Sequence, residues 1–175
     1  MKKNKGEERR QQILQLLMSA NRPYTGTELS KLMSVSRQVI VNDINLLKAK
    51  SEPILSTSQG YLYFQEQTPT KFERKIVCYH LPEDTIDELY TIVDCGVTIN
   101  NVIIEHPVYG DITVSMHLTN RLEVDQFVQK INKTNAPLLS ALTDGTHLHT
   151  ISAHSENALQ KALAALREKG YLVEN

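Results

Sequence analysis

Two histidines separated by one residue follow a turn signal late in the chain. Asp144 and Gly145 interrupt the segment TDGTHLHTIS, and the β-branched residues after them favour a strand. Because side chains alternate along a strand, His147 and His149 point to the same face. Two neighbouring imidazoles can bind a metal, exchange protons as acid and base, or act as hydrogen-bonded surface groups. The pair alone does not select among these three uses.

Two more side chains of the metal-ligand type fall where one site could collect them. His80 ends the predicted strand ERKIVCYHL, and Glu88 lies eight residues further on, about two turns along the next helix. Three neutral imidazoles and one carboxylate suit Zn²⁺, Ni²⁺ or a similar divalent ion. Acidic residues are also favoured in the first turns of a helix by its dipole, so the same pattern fits a helix start without a metal.

The sequence around these histidines contains no recognisable catalytic motif. It has no serine elbow, no Gly-rich phosphate loop and no cysteine beside a plausible base. His106 and His117 could exchange protons, but no nucleophile or paired carboxylate accompanies them. We therefore predict that the protein is not an enzyme.

The chain has 175 residues, which are enough for one or two domains. Its charged residues are distributed unevenly between the two parts of the chain. Residues 1–64 have a net charge of +5 and residues 65–175 a net charge of −6, although the total is only −1. This split predicts a basic module that binds a polyanion, joined to an acidic module with another task. Without a membrane-spanning run, a signal peptide or a paired cysteine motif, we expect a cytoplasmic protein with no membrane partner.

Three predicted helices and a hairpin in the basic part are typical of a winged helix-turn-helix. The apolar stripe in ILQLL indicates the first helix, and Thr25 with Glu28 forms a capping-box signature for the second. Ser36 is the expected cap of the third helix, RQVIVNDINLLKAK. Two short apolar runs in PILSTSQGYLYF then predict the β-hairpin that forms the wing.

The outer face of the third predicted helix has amides, a valine and cations where a solvated face usually has Glu and Lys. Amide side chains can hydrogen-bond adenine, valine can contact the thymine methyl, and cations can meet phosphates or guanine. We therefore expect this helix to enter the major groove of double-stranded operator DNA. The predicted DNA-contacting residues are Ser36, Arg37, Gln38, Val41, Asn42, Asn45 and Lys48. A structural three-helix domain and a protein-binding module are the alternatives.

The polar segment QEQTPTK predicts a linker between two domains. We place a DNA-binding domain at residues 1–66 and a metal- and ligand-binding regulatory domain at residues 72–175. Beyond the linker, the predicted order is strand, helix, strand, strand, helix, strand, helix. That order indicates an α+β protein, with an open-faced α/β sandwich of order β-α-β-β-α-β-α after the winged helix-turn-helix.

Several stretches resemble known families. The N-terminal part resembles the winged-helix modules of bacterial repressors. The stretches CYHLPEDTIDELYTIVDCG, IIEHPVYGDI and LLSALTDGTHLHTI are similar to the three-histidine (3H) domain. Together they resemble the NiaR family of nicotinic-acid-responsive transcription repressors over residues 7–172. The resemblance implies a homodimer with nicotinic acid as co-repressor, acting on genes of NAD biosynthesis or niacin uptake.

The resemblance also implies particular site residues. The implied ligands of a divalent metal, Ni²⁺ or Zn²⁺, are His80, Glu88, His147 and His149. Contacts to the effector are expected in the HPVYG segment, at His106, Tyr109 and Gly110, and Arg121 is a candidate partner for its carboxylate. Asp144 stands where the family pattern leads us to expect a second glycine, so we expect a local difference in that turn. A small metalloenzyme acting on a pyridine carboxylate, fused to a DNA-binding domain, is the alternative function.

Overall fold

The structure, a computed structural model, describes residues 2–64 and 72–174, with side chains from residue 5 onward. The chain folds as two compact units, Met1–Gln67 and Thr68–Asn175. The predicted linker QEQTPTK lies outside the described residues. Within the described part of the chain, no helix combines the length and apolar character needed to cross a membrane.

The first unit is a winged helix-turn-helix, as predicted. It contains α1 (Lys2–Ser19), α2 (Gly26–Leu32) and α3 (Arg37–Ala49), followed by an antiparallel hairpin of β1 (Ile54–Thr57) and β2 (Gly60–Tyr63). One apolar cluster holds the helices and hairpin together. Its buried members are Ile13, Leu17, Leu29, Ile40, Ile44, Leu47 and Ile54.

Local hydrogen bonds fix where α2 and α3 begin. Thr25 Oγ1 accepts the Glu28 N–H at 3.1 Å, and the Glu28 carboxylate accepts the Thr25 N–H at 2.7 Å, which completes the predicted capping box. The Ser36 hydroxyl accepts the Val39 N–H at 3.4 Å. The predicted starts of α2 and α3 are therefore confirmed. Both could be identified in the sequence because each cap joins residues three apart.

The wing is attached to the segment before α2 at a glycine. Tyr24 and Tyr61 exchange backbone hydrogen bonds of 2.9 and 2.7 Å. Gly60 has φ +134°, and a Cβ there would lie 2.5 Å from the Tyr24 carbonyl oxygen. Only glycine can adopt this conformation here without a clash. The close approach of Gly60 to Tyr24 places the wing beside the helix-turn-helix.

The second unit is a four-stranded antiparallel sheet with helices on one face, which confirms the predicted α+β class and element order. The strands β3 (Phe72–Tyr79), β4 (Thr98–His106), β5 (Gly110–Leu118) and β6 (Thr146–Ala153) are arranged in the order β3-β6-β4-β5. The helices are α4 (Thr85–Val93), α5 (Arg121–Thr134) and α6 (Glu156–Glu168), with short 3₁₀ turns at Pro82–Asp84 and Leu139–Thr143. Alternate residues of the sheet and all three helices share one apolar cluster.

Candidate metal centre and DNA-binding surface

The four predicted metal ligands converge in the second unit. His147 and His149 lie on β6, His80 follows β3, and Glu88 lies on α4. Each of the four is at most 4% exposed. Glu88 Oε2 is 2.8 Å from His80 Nε2, 3.4 Å from His147 Nε2 and 3.5 Å from His149 Nε2. The structure therefore brings all four side chains into one buried cluster, which we call the His₃Glu cluster.

Strand register explains how distant residues meet in this cluster. In the antiparallel pairing of β3 with β6, His147 lies opposite Cys78, and His149 lies opposite Ile76. His80 is two residues beyond Cys78, so the alternation of the strand directs it to the same face. That face is covered by α4, where Glu88 and Leu89 are buried. The sequence alone places His147 and His149 on one face. The neighbouring strand and the helix add His80 and Glu88 to the same site.

Backbone carbonyls orient the three imidazoles. The Nδ1 atoms of His80, His147 and His149 donate to the carbonyls of Leu81 (2.8 Å), Gly145 (2.9 Å) and Asn101 (2.8 Å). A carbonyl can only accept, so each ring carries a proton on Nδ1 and, when the ring is neutral, its Nε2 lone pair faces the carboxylate. Metal-binding histidines are typically held in this way.

This arrangement calls for positive charge between the rings and the carboxylate. Two acceptors, His80 Nε2 and Glu88 Oε2, cannot stay 2.8 Å apart without a proton or a cation to share. Glu88 Oε1 and His149 Nε2 are buried and have no hydrogen-bond partner among the described residues. A buried polar atom left unpaired costs about 1–3 kcal/mol. The donor set of three imidazoles and a carboxylate therefore fits a divalent cation.

The pKa shifts in the cluster also arise from the attraction between the Glu88 carboxylate and the imidazoles. Burial by itself raises the pKa of Glu88, but the three histidines outweigh it and lower that pKa well below its usual range. Burial lowers the pKa of His80 and His149, but the Glu88 carboxylate outweighs it and raises both above their ordinary value of 6.5. The carboxylate thus attracts positive charge to the imidazoles.

The proximity of Cys78 to the cluster was not predicted from the sequence. Cys78 Sγ, a carboxylate oxygen of Glu88 and a ring nitrogen of His147 lie within 4.8 Å of one another. Burial, with a smaller contribution from Glu88, raises the pKa of the thiol, which keeps it neutral. The available signal was the spacing of Cys78 and His80, two residues apart on one strand face.

The turn before β6 brings the two histidine-bearing strands close together. Gly145 has φ +97°, and a Cβ there would lie 2.5 Å from the His80 carbonyl oxygen. Asp144 before it adopts the left-handed conformation, with φ 51° and ψ 33°. Aspartate tolerates this region better than most side chains, which explains how it can occupy a position that also suits glycine.

Substituting Gly145 with alanine is expected to destabilise the second unit by about 2–3 kcal/mol, because the methyl group combines backbone strain with a clash against β3. Gly110→Ala is the matched control, since Gly110 also has positive φ (+70°) but has no atoms within 4 Å of an added Cβ. We expect about 1 kcal/mol for the control. Hydrogen exchange of β6 amides measures both losses, and equal losses would contradict the close-approach explanation.

The His₃Glu cluster forms part of the wall of a cavity of about 280 Å³. Apolar walls come from β4 and β5 (Val102, Val114, Met116), from α5 (Phe127, Ile131) and from residues 137–139. No Lys or Arg is among the described lining residues. Thr85 also lines the cavity, and its hydroxyl is buried without a partner among the residues that the structure describes. The cavity therefore suits a small, largely apolar ring with a polar group directed at the cluster.

The predicted effector contacts lie elsewhere on the second unit. His106 ends β4, and its Nδ1 accepts the N–H groups of Val108 (3.2 Å) and Tyr109 (3.3 Å). Tyr109 is 77% exposed, and Gly110 begins β5. Arg121 pairs through two nitrogens with Asp94, and it lies over the Tyr90 ring. The structure does not bring these four residues to the cavity, so effector binding by them stays a prediction.

The predicted DNA-contacting residues lie on α3 and its cap. Ser36, Arg37, Gln38, Asn42 and Asn45 are exposed, and Val41 and Lys48 are half-buried. The Gln38 amide donates to Asn42 Oδ1 at 3.3 Å, and Lys48 Nζ donates to Ser56 Oγ on β1 at 2.7 Å. The face therefore offers amide groups and a cation to the outside, with one end beside the wing.

Both units match known families. Residues 9–62 match the HTH domain family, and residues 73–175 match the 3H domain family. The chain is 52% identical over 172 residues to transcription repressor NadR of Bacillus subtilis (strain 168), covering 97% of this chain and 96% of that protein. It is 35% identical over 168 residues to the probable transcription repressor NiaR of Thermotoga maritima (strain ATCC 43589 / DSM 3109 / JCM 10099 / NBRC 100826 / MSB8), with coverage of 96% and 95%.

The chain belongs to the NiaR family of transcription repressors. This finding confirms the resemblance noted in the sequence. A NiaR-family chain is a transcription repressor with a DNA-binding helix-turn-helix domain. Its relatives are named as repressors and not as enzymes, which agrees with the prediction that this protein is not an enzyme.

In this NiaR-family repressor, a buried aspartate connects α3 to α1. Asp43 is 2% exposed, and its carboxylate accepts hydrogen bonds from Arg9 Nε at 2.6 Å and Arg10 Nη1 at 3.2 Å. Sequence reasoning missed this ion pair. Asp43 lies three residues after Ile40 and four before Leu47, so its place within the apolar stripe was the signal that could have revealed it.

Proposed function

We propose that this NiaR-family protein is a metal-containing repressor that responds to nicotinic acid, binds operator DNA as a homodimer, and controls genes of NAD biosynthesis or niacin uptake. The observation that carries the proposal is the buried His₃Glu cluster in the wall of an apolar cavity. The names NadR and NiaR of its relatives support the metabolic assignment. The helix-turn-helix domain supports the DNA partner.

In this proposal, His80, Glu88, His147 and His149 hold one divalent transition metal, Ni²⁺ or Zn²⁺. The metal supplies the positive charge that the buried carboxylate and the three Nε2 lone pairs require. The ligands come from α4, from β6 and from the residue that follows β3, so holding them together stabilises the second unit against local opening.

Metal content tests the ligand set directly. We expect one equivalent of Zn²⁺ or Ni²⁺ to bind the wild-type chain in competition with a chromophoric chelator, and His147→Ala and His149→Ala to lose that binding. His154→Ala is the matched control, because His154 follows the same strand but is exposed and outside the cluster. A His147→Ala or His149→Ala protein that keeps a full equivalent would rule out these ligands.

Metal affinity is expected to fall as the pH is lowered. Burial opposes protonation of His80 and His149, but the Glu88 carboxylate raises the pKa of both above 6.5. A metal must displace those protons, so competition begins at a higher pH than for free imidazole. Chelator competition between about pH 8 and pH 6 measures the effect. An affinity that is constant over this range would contradict it.

Nicotinic acid combines an aromatic ring with one carboxylate, and the cavity offers surroundings for both. The ring would pack among Met116, Phe127 and Ile131. No cationic side chain is among the described lining residues. The positive charge that attracts the carboxylate of nicotinic acid would therefore come from the metal bound in the cluster. The Thr85 hydroxyl, which has no hydrogen-bond partner among the described residues, offers a further polar contact.

Calorimetric titration with nicotinic acid distinguishes the cavity from the HPVYG turn. Phe127→Ala removes an apolar wall and is expected to weaken binding about tenfold, equivalent to about 1.4 kcal/mol. Tyr109→Ala, at an exposed position away from the cavity, should bind as the wild type does. The opposite pattern would assign the effector to the turn, as the sequence resemblance suggested.

A homodimer would present two α3 helices to successive turns of the major groove, about 34 Å apart. Sedimentation tests the dimer. Titration of duplex DNA at several salt concentrations tests the DNA assignment, because phosphate contacts by Lys and Arg give a steep loss of affinity with salt. Affinity independent of salt would favour a protein partner for this unit instead.

A further inference from the structure

The central strand β4 carries an irregularity next to the His₃Glu cluster. Along β6, Ile151 and Thr150 are consecutive residues, but their partners on β4 are Ile99 and Asn101. Asn100 is therefore an extra residue on β4, and the register with β5 shifts at the same place. An insertion of this kind is a β-bulge, a feature that redirects neighbouring groups.

Asn101 makes two hydrogen bonds at the bulge, with different parts of the residue. Its side-chain Oδ1 accepts the backbone N–H of Thr150 at 3.0 Å. Its main-chain carbonyl accepts the ring Nδ1–H of His149 at 2.8 Å. In a regular ladder, a main-chain carbonyl of β4 would take such a backbone N–H. The side-chain oxygen substitutes for it and leaves the carbonyl available to the histidine.

We infer that Asn101 is a positioning residue for the metal centre, acting by releasing its own carbonyl to orient His149. This inference rests on the metal binding proposed above. The bond fixes the proton of His149 on Nδ1 and turns the Nε2 lone pair toward Glu88. His149 is buried and its Nε2 has no hydrogen-bond partner among the described residues, so the Nδ1 bond is the hydrogen bond that determines ring orientation.

Removing the Asn101 side chain leaves the Thr150 N–H without its acceptor. In a regular ladder the acceptor is a main-chain carbonyl, and a return of the Asn101 carbonyl to that role would deprive His149 of its partner. Loss of an outer partner of a metal-binding histidine typically weakens metal binding about 10–100-fold. We expect Asn101→Ala to show a loss of this size, and Asn101→Asp, which keeps an acceptor oxygen, to retain most of the affinity.

Asn100 provides a matched control within the same bulge. Its Oδ1 accepts the Ser152 hydroxyl at 3.0 Å, and its Nδ2 donates to Glu73 at 3.3 Å. Neither contact involves a histidine. Asn100→Ala therefore removes side-chain bonds from the bulge without freeing or occupying the Asn101 carbonyl, and it should leave metal affinity near the wild-type value.

The experiment compares wild type, Asn101→Ala, Asn101→Asp and Asn100→Ala by two measurements on the full chain. Chelator competition gives the Zn²⁺ affinity, and ¹⁵N NMR of the histidine rings in metal-free protein shows which nitrogen of His149 carries the proton. The expected result is a 10–100-fold weaker affinity and a changed His149 ring signal in Asn101→Ala alone.

Wild-type affinity and an unchanged His149 signal in Asn101→Ala would overturn the inference, as would an equal loss in Asn100→Ala. If Asn101→Ala does not fold, the wild-type spectrum tests the inference. A neutral His149 with its proton on Nε2 would contradict the hydrogen bond from Nδ1 to the Asn101 carbonyl. If wild type binds no Zn²⁺ or Ni²⁺, the proposed function fails. The ring signals then still show whether Asn101 orients His149.

Discussion

Glu88→Gln is expected to abolish the stabilisation of the second unit by the proposed Zn²⁺ or Ni²⁺. Among the described residues, Glu88 is the one carboxylate that contacts all three imidazoles, and it is 1% exposed. Without its charge, three neutral rings remain, and we expect metal affinity to fall by about 100-fold or more, beyond the loss typical for an outer partner. A metal present at 100 times its dissociation constant stabilises the folded state by about 2.7 kcal/mol, and this amount should disappear.

Asp87→Asn is the matched control for Glu88→Gln. Asp87 is the preceding residue on α4, but it is exposed and pairs with Lys169 and Tyr171 outside the cluster. Hydrogen exchange of β6 amides with and without metal reports on the second unit alone. Metal-induced protection in Glu88→Gln equal to that in the control would show that the carboxylate is not a ligand.

Asp43→Ala is expected to destabilise the first unit by about 2–4 kcal/mol and to weaken operator binding. The change removes the shared partner of Arg9 and Arg10, and breaking a buried ion pair costs more than the pair contributes. We set the loss toward the lower part of the usual range because the arginine side chains are 22% and 16% exposed. We expect operator affinity to fall because α3 loses its ion pairs with α1 and keeps only the apolar contacts.

Glu7→Gln is the control for Asp43→Ala. Glu7 pairs with Arg10 and Lys50, but its side chain is 45% exposed, so its loss should destabilise the first unit far less than the loss of Asp43. Hydrogen exchange of α3 amides gives the stability change, and fluorescence anisotropy with operator DNA gives the affinity. Asp43→Ala and Glu7→Gln proteins of equal stability would contradict a structural role for the buried aspartate.

The features predicted from the sequence depend on short-range rules. The capping box at Thr25 and the cap at Ser36 could be identified because each bond joins residues three apart. The shared face of His147 and His149 follows from strand alternation alone. His80 and Glu88 could be added because a strand followed by a returning helix restricts where they lie.

The features missed depend on contacts between distant residues. Asp43 meets Arg9 across 34 residues, and Asn101 meets His149 across 48. Cys78 approaches the cluster only through the register of β3 against β6. No local pattern encodes a register or a bulge, so these partners become visible only in the folded chain.

The cavity was also beyond sequence reasoning. Its apolar wall is formed by residues from β4, β5, α5 and the segment before β6. In the sequence, each of these segments looks like an ordinary part of the apolar core. The residues expected to contact the effector, His106, Tyr109, Gly110 and Arg121, came from family resemblance. The Asp94 partner of Arg121 depends on a contact between α5 and the end of α4 that the sequence does not reveal.

The most direct test of a metal-dependent, nicotinic-acid-responsive repressor is operator titration at fixed salt under four conditions. Fluorescence anisotropy would compare metal-loaded and chelated protein, each with and without nicotinic acid. We predict that nicotinic acid changes the operator affinity of the metal-loaded protein by about 5–150-fold, the usual range for coupling between two sites, and leaves the chelated protein unchanged. No change in the metal-loaded protein, or an equal change in both, would contradict the proposal.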